Sequence, residues 1–240
     1  MKKHIPNFLT CLNLFCGCVA TVLIFRNHLE WAGYLVILAA IFDLFDGMAA
    51  RILKVSSPIG KELDSLADLI SFGFVPGAML FKLLQVNVDT ISDNEMMTKA
   101  IQFLPFILTV FSAIRLAKFN LDTRQTDSFI GLPTPASTLF VIALPLILSN
   151  DNFGLSRVIL NPYFILGISS MMSFLLVAEL PLIALKFKTL SWKENSYQFI
   201  LIIASAILLV VLKFAALPVI IVLYVLLSFI KNRGKETSNS

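Results

Sequence analysis

Between residues 8 and 230 the chain is a succession of apolar runs parted by short polar links. Runs of about 18 residues or more are long enough, as helices, to cross the roughly 30 Å hydrocarbon core of a bilayer. Lipid offers no partner for backbone amides, so each crossing segment must satisfy its own, and an α-helix does so. Hydrophobic residues make up 58% of the sequence and charged residues 14%, against about 45–50% and about 25% in an average soluble domain. The mean hydropathy is +0.86. An ordinary soluble domain is thereby excluded. The expected fold is all-α: a polytopic helical integral membrane protein.

Eight candidate spans cover roughly 8–25, 32–53, 62–85, 98–118, 134–149, 159–185, 196–212 and 214–230. The last two are nearly fused, with only Lys213 and Pro218 between them, so a count of seven stays open. The N-terminal stretch has an apolar run but no small-residue cleavage site, and more spans follow it; it reads as a retained first span. Its three cysteines, Cys11, Cys16 and Cys18, suit small apolar packing better than a disulfide framework or a metal site. No internal repeat is evident. One transmembrane domain over 1–230 is expected, with 231–240 a polar cytoplasmic tail without fixed structure.

Loop charges orient the spans. Lys2 and Lys3 precede the first; Arg51, Lys54 and Lys61 surround the second link; Lys118 and Arg124 follow the fourth span. Lys186, Lys188 and Lys193 follow the sixth, and Lys231, Arg233 and Lys235 lie at the end. The alternate loops are poor in Lys and Arg, and 86–97 carries Asp89, Asp93 and Glu95. The positive-inside rule then places both termini in the cytoplasm. The formal net charge of +4 is modest; the bilayer is the implied partner and no nucleic acid is expected.

Against this background, Asp43, Asp46, Asp64 and Asp68 stand out. Asp43 and Asp46 are three apart, and Asp64 and Asp68 four apart, so each pair occupies one helix face. The second span runs inward and the third outward, which brings both pairs to similar depth near the cytoplasmic side. Asp43 lies about 12 Å from the span end near Arg51. A charge at mid-membrane costs roughly 2.5–3.5 kcal/mol, less toward the interface, so four carboxylates call for cations. Arg51, Lys54 and Lys61 are too few to neutralise them all. Clustered carboxylates without His or Cys suit a hard ion such as Mg²⁺ or Mn²⁺. Four can hold two divalent cations about 3.5–4 Å apart, an arrangement used for displacement at phosphorus. Gly47 and Gly60 would let a phosphate approach the backbone, and Arg51 offers a fork for its oxygens. Two other readings are interfacial ion pairs and an ion or proton transporter. The first explains neither the number nor the facing geometry. The second lacks a charged path across the membrane and paired broken helices.

The pattern Asp43-x2-Asp46-Gly47-x2-Ala50-Arg51-x8-Gly60-x3-Asp64-x3-Asp68 resembles the signature of the CDP-alcohol phosphotransferase family, with eight identities over 26 positions. The resemblance implies a membrane enzyme that moves a phosphate-linked group from a CDP-activated donor to an alcohol and releases CMP. It also implies a homodimer, and a site in a cytoplasm-facing cavity among the first spans. Carried over, Asp43, Asp46 and Asp64 are metal ligands, and Asp68 is both a ligand and the general base. Gly47, Ala50, Arg51 and Gly60 would contact the CDP and its phosphates. The family's Pro-Asn-x-x-Thr is matched by Pro6, Asn7 and Thr10, and Asn7 and Thr10 could bond to the nucleotide.

SLADLISFGFVPG (65–77), RLAKFN (115–120) and FIGLPTPAS (129–137) are similar to the branch of the family whose acceptor is L-serine. This wider likeness covers roughly residues 5–140. The implied reaction is CDP-diacylglycerol plus L-serine giving phosphatidylserine and CMP, in a bacterial inner membrane. Serine brings a carboxylate, for which Arg115 is the candidate, with Lys118 and Asn120 near it and Thr134 offering a hydroxyl. Arg115 and Lys118 also fit as snorkelling positive charges. Glycerol phosphate or an inositol phosphate is the alternative acceptor, but would want more clustered Arg and Lys than this region supplies. Glu179, near the end of the sixth span, is given no role.

Overall fold

In a computed structural model, residues 4–55, 57–121, 129–150, 154–183 and 192–236 are described. Arg124, Lys186 and Lys188 of the orientation argument, and the terminal Lys2 and Lys3, lie outside them. The described chain is almost wholly helical, and it is a polytopic membrane protein.

Eight long helices follow one another: α1 His4–Phe25, α2 Leu29–Ile52, α3 Pro58–Leu84, α4 Glu95–Leu121, α5 Thr134–Asn150, α6 Pro162–Val177, α7 Trp192–Leu212 and α8 Ala216–Glu236. α1, α3, α4 and the stretch Asn195–Asn232 are long and apolar enough to cross a membrane. That last stretch has 38 residues, about 57 Å as a straight helix and far more than one crossing needs. It is not straight. Lys213 has φ 50 and sits in a 3₁₀ turn, and α7 and α8 pack against each other.

Local chemistry explains the element ends. Lys54 adopts φ 51 just past α2. Ser57 then caps α3, its Oγ accepting from Gly60 N at 3.0 Å, with Pro58 in the first turn. Asn161 caps α6 in the same manner, ahead of Pro162. α6 is shorter than the sequence suggests. It stops at Val177, since Ala178 is extended (ψ 138) and Pro181 lies just beyond. Pro181–Leu182 pairs antiparallel with Phe129–Ile130 in a two-residue ladder. α8 is longer than expected and runs to Glu236, so much of the stretch read as a structureless tail is helix.

The core lies around α3 and α5. In Val75–Leu84 every residue but Lys82 is buried, and α5 is buried along most of its length despite an internal Pro145. Small residues allow this. A Cβ on Gly73 would lie 3.0 Å from Ser112 Cβ, and one on Gly77 would lie 2.5 Å from Thr109 Oγ1. α7 and α8, by contrast, expose Ile203, Ile207, Val210, Val211, Leu226 and Phe229, among others. Such a surface suits lipid and not water.

One feature of α3 had no signal in the sequence. Immediately after Asp68, residues Leu69–Phe74 form a π-helical segment. Hydrogen bonds join this turn to three neighbouring helices. Ser71 Oγ donates to Asn13 O at 3.0 Å, Thr138 Oγ1 donates to Phe72 O at 2.8 Å, and Thr109 Oγ1 donates to Gly73 O at 2.9 Å. The widened turn therefore ties α1, α4 and α5 to α3 at the level of the last aspartate. Such turns are frequent at functional sites.

Candidate active site

α1 lays one polar face along α2 and α3. Asn7, Thr10, Asn13 and Gly17 recur at helical spacing, and each meets a different partner. A Cβ on Gly60 would come within 2.9 Å of Asn7 Oδ1. Thr10 Oγ1 lies 2.6 Å from Asp46 Oδ2 and 3.1 Å from Pro6 O. Asn13 Nδ2 donates to Asp68 Oδ1 at 3.2 Å. Gly17 packs on Ser71 so closely that a Cβ there would strike Ser71 Oγ.

The four aspartates gather, but not as equals. One carboxylate oxygen from each of Asp43, Asp64 and Asp68 lies within 4.8 Å of the others. Asp46 stands aside from that trio, only 6% exposed and held by Thr10. Asp46 and Asp64 instead line a polar cavity of about 190 Å³. Asn7, Thr10, Gly47, Ala50, Gly60 and Lys61 line it too. Five of the six residues expected to contact the nucleotide and phosphates thus share one cavity. Arg51, the sixth, is exposed beside it and donates from Nε to Gly47 O at 3.0 Å.

Carboxylates this close repel one another, and no cationic side chain among the described residues offsets them by a salt bridge. Arg51 is turned to Gly47, and Lys61 Nζ donates to Asn120 O at 3.0 Å. The ion-pair reading therefore loses its partners. A set of hard oxygen donors without His or Cys suits a divalent cation bound among them.

The acceptor candidates divide. Arg115 is 8% exposed and its Nε is buried without a hydrogen-bond partner. Its guanidinium lies 5.5 Å from the Phe119 ring centroid, within Coulombic reach of Asp68 and Tyr224. Thr134 is fully buried with its hydroxyl unpaired. Gly131 positions it: φ is +77, and a Cβ would lie 2.6 Å from Leu176 O. That close passage lets the 129–132 segment thread past the end of α6 into α5. The other two candidates are not free for a ligand in the same way. Asn120 is tied to Lys61 and, through Nδ2 at 2.8 Å, to Ser65 Oγ. Lys118 is exposed, one turn along α4 from buried Arg115. Glu179 is exposed beyond the end of α6.

Two residues escaped the sequence reading. Ser137 is 1% exposed with an unpaired Oγ, and Asn13 is fully buried with an unpaired Oδ1. Asn13 had a usable signal: it continues the Asn7–Thr10 face by three more residues inside an apolar helix. Ser137 had none.

The family model for CDP-alcohol phosphatidyltransferase matches residues 3–179. The chain is 30% identical over 231 residues to a CDP-diacylglycerol–serine O-phosphatidyltransferase of Helicobacter pylori, covering 94% of this chain and 90% of that one. A Bacillus subtilis protein of the same name is 29% identical over 171 residues, covering 66% and 88% of the two chains. One from Saccharomyces cerevisiae is 32% identical over 177 residues, covering 64% and 60%. The matched region contains all four aspartates and the cavity that Asp46 and Asp64 line, and the chain belongs to the CDP-alcohol phosphatidyltransferase family.

Proposed function

We propose that the protein transfers the phosphatidyl group from CDP-diacylglycerol to the hydroxyl of L-serine, giving phosphatidylserine and CMP. The convergence of Asp43, Asp64 and Asp68 beside a polar cavity is the observation that carries the reading. The names of the similar proteins support the donor and the acceptor. Family membership favours this transferase over a cation transporter.

Asp43, Asp46, Asp64 and Asp68 would hold two divalent cations, Mg²⁺ or Mn²⁺. Bound there, the ions would neutralise the pyrophosphate and stabilise charge on departing CMP. The rest falls to the chain. Thr10 holds Asp46 in place, and Asn7, Gly47, Ala50, Arg51 and Gly60 receive the nucleotide and its phosphates. Arg115 takes the serine carboxylate and Thr134 adds a hydroxyl. Asp68 takes the proton from the serine hydroxyl as its oxygen forms a bond to the diacylglycerol-bearing phosphorus; the bond from that phosphorus to CMP breaks, and CMP carries off the electron pair.

The Lys and Arg distribution supports a site open to the cytoplasm. The family resemblance supports a homodimer in the inner membrane. Packing that links α1 through to α8 supports one domain. The test is purified protein in lipid vesicles with CDP-diacylglycerol and labelled serine: CMP and labelled lipid should appear together. Glycerol phosphate and inositol phosphate are run beside it, and turnover with either of these but not with serine would overturn the acceptor.

A further inference from the structure

Among the described residues four buried side-chain atoms lack a hydrogen-bond partner: Asn13 Oδ1, Arg115 Nε, Thr134 Oγ1 and Ser137 Oγ. Buried polar atoms are nearly always paired, so an orphan marks a place where something else binds. These four are not alike. Arg115 Nε is a donor only, and the two hydroxyls can donate or accept. Asn13 Oδ1 is an acceptor only, and so requires a donor.

We propose that the side-chain carbonyl of Asn13 receives the ammonium group of the acceptor amino acid, with Asp68 the shared neighbour of Asn13 and Arg115. This rests on the serine reading above. The amide orientation follows from chemistry. Nδ2 faces Asp68 Oδ1 at 3.2 Å; a flipped amide would set carbonyl against carboxylate, oxygen against oxygen. Oδ1 is thereby turned away from Asp68. Asn13 is also fixed from behind, since its backbone carbonyl accepts from Ser71 at 3.0 Å.

The other donors in the reaction are poor candidates for this atom. CDP-diacylglycerol phosphates offer no hydrogen, and the attacking hydroxyl needs its proton at the base. The nucleotide's amine and ribose hydroxyls belong with the polar cavity, which Asn7 and Thr10 line and Asn13 does not. Asn13 is one turn deeper, at the level of Asp68. An amino acid with a hydroxyl side chain has the matching set: a carboxylate for Arg115, an ammonium for Asn13, and a hydroxyl to be deprotonated at Asp68.

The experiment uses the full chain in vesicles with CDP-diacylglycerol and labelled L-serine. It reads KM for serine and Ki for 3-hydroxypropanoate, which keeps the carboxylate and hydroxyl but lacks the amine. Asn13→Leu should raise KM for serine roughly 10–100-fold, the weight of a hydrogen bond to a charged group. Ki for 3-hydroxypropanoate should stay within about threefold. Asn13→Asp retains an acceptor oxygen on both sides and should keep the preference for serine, whatever it does to kcat. If KM and Ki rise together, or only kcat falls, Asn13 merely positions Asp68 and the proposal is overturned. It is equally overturned if Asn13→Leu changes only the divalent-cation requirement. Wild-type protein that releases no CMP with serine overturns the underlying reading instead, a separate outcome.

Discussion

Thr10 and Asp46, on α1 and α2, meet through a 2.6 Å hydrogen bond between Oγ1 and Oδ2. The bond holds Asp46 on the cavity wall while Asp43, Asp64 and Asp68 draw together without it. The set of four carboxylates is thus split by geometry into a trio and a tethered fourth. Thr10→Val keeps the shape and removes the donor. Turnover should fall about 10–100-fold, a hydrogen bond to a charged group being worth about 1.5–3 kcal/mol, and Thr10→Ser should recover most of it. Steady-state CMP release with the two variants side by side makes the check.

Asp→Asn substitutions at Asp43, Asp46, Asp64 and Asp68 should each remove most turnover while the protein stays folded. At Asp68 the loss of a positioned base should cost about 10²–10⁴-fold in kcat. Circular dichroism and size-exclusion profiles should match the parent protein. Near-parental activity with any of the first three would remove that residue from the ligand set.

Chelation is the complementary measurement. EDTA should abolish CMP release, and Mn²⁺ or Mg²⁺ should restore it. Calorimetric titration of the stripped protein should find two sites, with one or both weakened in Asp43→Asn. Full activity after exhaustive chelation would return the aspartates to an electrostatic role that the structure leaves without partners.

Arg115 should separate acceptor from donor. Arg115→Gln should raise KM for serine by about 10–100-fold through loss of charge-assisted bonds, with KM for CDP-diacylglycerol little changed. Arg115→Lys should rescue only in part, because an ammonium cannot reproduce the guanidinium fork. Equal rises in both constants would argue for a packing role.

Two glycines give tests of shape. Gly60→Val places side-chain carbon where Asn7 Oδ1 and Ser57 Oγ lie within 2.9 Å of a Cβ, so KM for CDP-diacylglycerol should rise, and the disturbed Ser57 cap should cost about 0.5–2 kcal/mol in stability. Gly131→Ala meets Leu176 O at 2.6 Å with φ at +77. It should cost about 1–3 kcal/mol in stability, read as a lower unfolding midpoint. It should also weaken serine binding by displacing Thr134.

Much of this protein is legible without coordinates because a bilayer admits few backbones. The eight apolar runs correspond closely to α1–α8, and the errors lie at ends, where hydropathy has no edge. α6 stops early at the Ala178–Pro181 break, and α8 continues past the point where polar residues begin. The aspartate motif was equally readable. Helical spacing of three and four residues fixes which side chains share a face, whatever surrounds them.

Relations across the bundle were not readable. No local rule says that Asp46 is held by Thr10 while Asp43 joins Asp64 and Asp68, or that the turn after Asp68 widens into a π segment. Nor does any separate buried Arg115 from exposed Lys118, three residues on along the same helix, or release Thr134 while binding Asn120 to Lys61 and Ser65. Residue order determined the helices, their polar faces and the chemistry those faces carry, because these follow from solvent and from a repeat of 3.6 residues. Tertiary structure alone decided which polar atoms are paired and which are left open to a ligand, because pairing depends on contacts between helices far apart in the chain.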